Sequence, residues 1–212
     1  MTKPILWSST FTSGTLAHMA AAEAGVDLDI RFISLRQGEH KTPEFLAINP
    51  KGQVPALQIG PGRVITEGPA VLTYIARMNP DAGLMPADPY AEARTIEWMA
   101  WVSLQFGTVF QPIFMPGRFT SDPSAEASVT ARGRERAAET FTFADAALAH
   151  GEVPTRDDGG VTLAELYFFF LGMGARFLKM DLSVYPALTA HHARMGARPR
   201  IAAALTREQE HG

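Results

Sequence analysis

The 212-residue sequence contains no cysteine. That absence removes a disulfide framework, a thiolate metal site and any redox-active thiol pair. Thiol–disulfide exchange begins with attack by a thiolate, so the chain could run such chemistry only on a sulfur that another molecule brings. Charge is sparse too: charged residues make up 19% and the formal net charge is -3, with both signs scattered rather than blocked. Without a basic stripe there is no electrostatic footprint for nucleic acid or an anionic membrane, and neither is expected as a partner. No apolar run reaches the ~18 residues of a spanning helix. The segment Met1-Thr-Lys-Pro-Ile-Leu-Trp7 lacks the long apolar core and small-residue cleavage site of a secretory signal. A cytoplasmic protein is the expectation.

Hydrophobic residues supply 46% of the chain, enough to close one large or two compact cores. Pro4 to Ser8 reads as a short strand that stops in a hydroxyl-rich loop, Ser8-Ser-Thr-Phe-Thr-Ser13. Leu, Met and Ala from Thr15 to Ala24 favour a helix, which Gly25 caps. Leu28 to Leu35 reads as a second strand, followed by a turn-rich connection and a short helix through Phe45 and Leu46. Ala56–Ile59 and Arg63–Thr66 flank the turn Gly60-Pro-Gly62 and form a hairpin, and Gly68 to Met78 returns to helical spacing. The order β-α-β-α-β-β-α predicts a small α/β domain with a mixed sheet over residues 1–83. Residues 84–89, at the end of a stretch rich in Pro, Gly and Asp, read as a linker. Residues 90–212 are expected to be helical, with segments at Tyr90–Phe106, Ala125–His150, Thr162–Phe177 and Tyr185–Gly196.

Four groups of residues could carry chemistry. Asn49-Pro-Lys-Gly-Gln-Val-Pro-Ala-Leu57 places an X–Pro bond before a strand, where a cis bond costs only about 0.5–1 kcal/mol. Thr66-Glu-Gly-Pro69 stands at a strand-to-helix junction, where free N–H groups and the helix dipole suit a carboxylate. His40-Lys41 offers a hydrogen bond and a charge. Ser13, Thr10 and Thr12 are hydroxyls at the start of the first helix, equally suited to capping it. Thr162-Leu-Ala-Glu165 is a capping box with a structural role. His18 is expected to pack on the first helix. His191-His192 lacks a third ligand, and adjacent helical residues do not share a face, so no metal site is expected.

The Asn49–Leu57 run resembles the signature of the cytosolic glutathione S-transferase family, and the likeness extends over most of the chain. It is nearest the bacterial beta class, with some phi-like features. The resemblance implies a thioredoxin-like N-terminal domain with a mixed four-stranded sheet, packed on an all-α C-terminal domain. It further implies a cytoplasmic homodimer that conjugates glutathione, as co-substrate, to an electrophilic apolar small molecule in detoxification. By the same resemblance Val54 and Pro55 form the cradle for the cysteinyl part of glutathione, while Glu67 and Gly68 hold its γ-glutamyl end. His40, Lys41 and Gln53 hold the glycine end, and Ser13, Thr10 or Thr12 stabilises the thiolate. Phe11, Trp101, Phe106 and Phe110 would line the second-substrate pocket. Where beta-class enzymes carry a histidine and an asparagine this chain has Gly107 and Ala100, and the class's cysteine falls opposite Ser13. A non-catalytic glutathione-binding protein and a glutathione-dependent isomerase are the alternative functions on the same cradle.

Overall fold

The computed structural model describes residues 3–211. Its sheet has four strands, β1 (Ile5–Ser8), β2 (Asp29–Phe32), β3 (Ala56–Gly60) and β4 (Arg63–Thr66), in the order β2-β1-β3-β4. β1 and β2 are parallel, and the other two pairings are antiparallel. A parallel pair needs a crossover, and helix α1 (Ser13–Ala24) supplies it. The register sets Leu6 opposite Ile30 on one side and Leu57 on the other, so the two central strands put fully buried leucines at the middle of the sheet.

Ten of the twelve α1 residues are buried. A helix enclosed all round needs small or flexible side chains, and Gly14, Ala17, Met19, Ala20, Ala21 and Ala24 provide them. It packs against α3 (Gly68–Met78) and against α9 (Pro199–Glu210), the last helix of the chain. Between β2 and β3 lies the short α2 (Pro43–Ile48). Beyond α3 come α4 (Pro89–Gln105), α5 (Gln111–Phe114), α6 (Glu126–Ala149), α7 (Leu163–Phe177) and α8 (Pro186–Gly196). The mixed four-stranded sheet and the helical remainder match the expected fold class.

One apolar cluster runs from Leu6 in β1 to Ala204 in α9 without a break between the halves. The segment expected as a linker is anchored at its start: Leu84 and Met85 are buried, and Leu163 N–H donates to the Leu84 carbonyl at 2.9 Å. Three other boundaries differ from the sequence reading. β2 ends at Phe32 rather than Leu35, because the chain turns at Ser34, whose N–H is taken by the Glu39 carboxylate at 2.7 Å. Residues Phe106–Phe110 continue α4 as a π-helical segment. Helix α9 was not anticipated, since its sequence is short and strongly charged.

The Thr162–Glu165 capping box starts α7: Glu165 accepts from Thr162 N–H at 2.9 Å, and Arg194 of α8 closes on its other oxygen at 2.6 Å. Against α7, His192 stacks on Phe169 with ring centroids 4.6 Å apart. His191 is also buried, and both its ring nitrogens lack a partner among the described residues. Burial, reinforced by Arg194 and His192, lowers the His191 pKa to about 3. His191 therefore stays neutral in the folded chain, whereas in the unfolded chain it titrates near its ordinary 6.5. Unfolding takes up a proton between those values, so stability should fall as pH drops from 6.5 toward 3. Denaturant titrations across that range should show this slope, and it should be shallower in His191→Leu.

Candidate functional site

The loop before β3 is held by its own short-range bonds. Asn49 is buried, donates from Nδ2 to the Gln53 carbonyl at 2.7 Å and accepts Lys51 N–H at 3.2 Å. Lys41 reaches across and donates to the Gly52 carbonyl at 3.2 Å. The next peptide bond, Val54–Pro55, is cis. The Gln53 side chain is exposed and Val54 is half-buried, so the main chain at 53–54 borders solvent. From the other side of the sheet end, Ser13 Oγ donates to the Val54 carbonyl at 3.1 Å.

Glu67 is the N-cap residue of α3 and sits at φ 69°, a conformation rare for a non-glycine residue. Its carboxylate makes no cap bond. It turns outward to Lys51, whose Nζ lies 2.5 Å from Glu67 Oε1 and 2.8 Å from Thr66 Oγ1. Such a half-exposed pair contributes about 1 kcal/mol or less and opens readily. Gly68 opens α3. A β-carbon built there would lie 2.7 Å from Tyr167 Oη, which reaches over from α7. Tyr167 is 2% exposed, and its hydroxyl has no partner among the described residues. Burial raises the phenol pKa, and the nearby Glu67 carboxylate adds to the effect. Lys51 and Tyr167 both border the expected site, and neither was singled out from sequence. Lys51 lies inside the signature run and was open to notice, whereas Tyr167 is 99 residues from Gly68 with no local signal.

The three candidate hydroxyls have different partners. Thr12 is the N-cap of α1: Oγ1 accepts Gly14 N–H at 3.2 Å and donates to the Ser9 carbonyl at 2.6 Å, so its proton is committed. Ser13, the first residue of the helix, gives its proton to the Val54 carbonyl. Thr10 is half-buried and makes no side-chain hydrogen bond among the described residues. Between them Phe11 takes φ 54°, and the residue is 46% exposed. Gly14 lets the helix start close on β1, since a β-carbon there would come within 2.2 Å of Ser8 Oγ. His40 Nδ1 is buried and has no partner among the described residues, and burial lowers its pKa with help from Lys41 and Arg118.

The four aromatic residues expected around a second-substrate pocket do not form one cluster. Trp101 packs with Trp98, Phe143 and Phe168, with its centroid 5.1 Å from that of Phe143. Phe106 stacks on Phe110 at 4.6 Å and on Phe170 at 4.6 Å. Phe110 is buried and continues the row to Phe114 and Phe177, both of which are exposed. Phe11 has no ring partner among the described residues. Phe110 is therefore a core residue, while Trp101 and Phe106 are half-buried against the same apolar cluster.

The Gly68–Tyr167 contact makes a testable pair. Gly68→Ala should destabilise the chain by about 1–3 kcal/mol, the usual cost of overpacking. Tyr167→Phe removes only an unpartnered hydroxyl and should leave stability unchanged or raise it. Combined, the two should cost less than Gly68→Ala alone, a coupling that a double-mutant cycle in denaturant would read out.

Residues 5–77 match the family model described as glutathione S-transferase, N-terminal domain. Over 199 residues the chain is 28% identical to glutathione S-transferase GstA of Escherichia coli O157:H7, covering 91% of this chain and 92% of that protein. Over 85 residues it is 36% identical to maleylacetoacetate isomerase of Pseudomonas aeruginosa, covering 39% of this chain and 40% of the isomerase. The crystal structure of a glutathione transferase homologue from Sulfitobacter with bound glutathione superposes with a TM-score of 0.89 at 27% identity, covering 100% of both chains. With the sheet order, the cis Val54–Pro55 bond and the helical remainder already in place, these likenesses decide the assignment. Residues 5–77 belong to the glutathione S-transferase N-terminal domain family, and the chain as a whole shares the fold of glutathione transferases.

Proposed function

We propose that the chain binds glutathione extended along Val54 and conjugates it to an electrophilic apolar small molecule. The observation that carries this reading is the Ser13–Val54 contact: a hydroxyl at the N-terminus of α1 reaches the cis-proline cradle at 3.1 Å. A cysteinyl group pairing with the Val54 main chain lies within reach of Ser13, which exchanges the carbonyl for the sulfur as acceptor. The thiol gives its proton to solvent. A donated hydrogen bond and the positive end of the α1 dipole then favour the thiolate. The sulfur attacks the electrophilic carbon, and the leaving group departs with the electron pair of the broken bond. The protein contributes thiol activation and positioning, with no covalent intermediate of its own.

Glu67 takes the α-amino group of the γ-glutamyl end by releasing Lys51. The N–H groups that begin α3, at Gly68, take the neighbouring carboxylate. At the glycine end, Lys41 supplies charge and Gln53 a side-chain amide. His40, its pKa lowered, is neutral near pH 7 and acts as a hydrogen-bond donor. Phe11 and Phe106 border the apolar substrate. The reading includes a division into residues 1–83, a connecting segment 84–89 and residues 90–212, and a beta-class homodimer acting in the cytoplasm in detoxification. A glutathione-dependent isomerase is the second reading, favoured by the stretch shared with the maleylacetoacetate isomerase.

Three measurements test this reading. Thiolate absorbance of bound glutathione, followed against pH, should show a thiol pKa below that of free glutathione. An unshifted value would leave a binding protein without thiol activation. Ser13→Ala should raise that pKa and lower turnover while leaving affinity nearly intact; the same loss in Thr10→Ala alone would move the role to Thr10. Calorimetry should find glutathione binding weaker by about 1–3 kcal/mol in Glu67→Ala, through loss of a charged hydrogen bond.

A further inference from the structure

Glu208 lies in the last turn of α9 and has no solvent exposure. A buried carboxylate is costly unless its lone pairs are met. Here Oε2 accepts Phe11 N–H at 3.1 Å and Thr15 Oγ1–H at 2.9 Å, and Oε1 lies 2.9 Å from His18 Nδ1. All three partners come from the loop and helix that carry the candidate hydroxyls, 190 to 197 residues away in sequence. Thr15 and His18 are three apart on one face of α1, while Phe11 is the loop residue that bends the chain into it.

The Phe11 bond is the informative one. At φ 54° a phenylalanine is in the left-handed region, which side chains with a β-carbon disfavour. That bend is what turns the main chain between Thr10 and Thr12, and so sets where Thr12 caps and where Ser13 points. The opposite end of α9 grips the opposite end of α1: Arg198 makes a two-pronged bond to Glu23 at 2.9 Å and 2.9 Å, and Arg200 donates to the Glu23 carbonyl at 2.7 Å. The two helices therefore run antiparallel with their register fixed, and Glu208 always arrives at the loop.

We infer that Glu208 is a positioning residue for thiol activation, holding Phe11 in its bend so that Ser13 faces the Val54 carbonyl. The inference rests on the proposed transferase site but assigns a new role to the end of the chain. It touches no substrate; it acts through Phe11.

The test uses the full chain with glutathione as probe, reading bound thiolate absorbance against pH together with kcat and KM. Wild type must first show a depressed thiol pKa; if it does not, the transferase reading fails and Glu208 is not the cause. Given that, Glu208→Ala should raise the bound thiol pKa toward the free value and lower kcat by roughly tenfold or more, as small misplacements near the chemistry do. KM for glutathione should change little, because the cradle and Glu67 lie on other loops. Glu208→Gln keeps an acceptor oxygen for Phe11 and Thr15 and should restore most of the activity. If Glu208→Ala does not fold, Glu208→Asp decides: its carboxylate is drawn back from Phe11 and should lower kcat at unchanged KM. A folded Glu208→Ala or Glu208→Asp with wild-type thiol pKa and kcat would overturn the inference.

Discussion

Helix α1 has no solvent face, and the rest of the molecule is arranged around that constraint. Its alanines and Met19 can be buried on every side only if something covers each side. The sheet takes one, α3 a second, and α9 a third. The N-terminal α/β unit therefore cannot close its own core with its own residues. The last helix of the chain is needed, and it is fastened at both ends by charge: two arginines at the C-terminal end of α1 and one glutamate at the N-terminal end. Pairing within a buried contact is what makes those charges tolerable, and it fixes the helix register more sharply than apolar packing alone.

The candidate site inherits its precision from this arrangement and from a second, local one. On the cradle side the bonds are short in sequence. Asn49, Lys51 and Gln53 organise one another, so the loop is largely formed before any ligand arrives. On the hydroxyl side the bonds are long in sequence, through Glu208. Ser13 is where the two systems meet, since its proton bridges from α1 to the Val54 carbonyl. The outer pair Lys51–Glu67 is exposed and weak, which suits the partner exchange proposed for Glu67.

The helical half adds a wall rather than ligands. Phe106, Phe110 and Phe170 pack together where the π-helical segment widens the helix. Gly107 offers no side chain there, and a β-carbon added to it would meet open space. The thiol activation proposed for this chain draws on α1 and its loop.

The local signals were the legible ones. Val54–Pro55, the Gly60-Pro-Gly62 turn, the Gly25 cap and the Thr162–Glu165 box each state their structure within a few residues, because turn and cap chemistry is set by neighbours in sequence. The sheet's element order followed from the same signals. The sequence by itself thus determined most of the elements and the fold class. Which hydroxyl faces that cradle was left to tertiary structure: Thr10, Thr12 and Ser13 are chemically alike, and only the bend at Phe11 separates the cap from the residue that reaches Val54. Tertiary structure also buried Phe110, left Trp101 half-buried, set Tyr167 against Gly68, and turned a charged C-terminal helix into a support for α1. The reason is the same in each case: a buried group's role is fixed by what meets it across the core, and its partners lie far away along the chain.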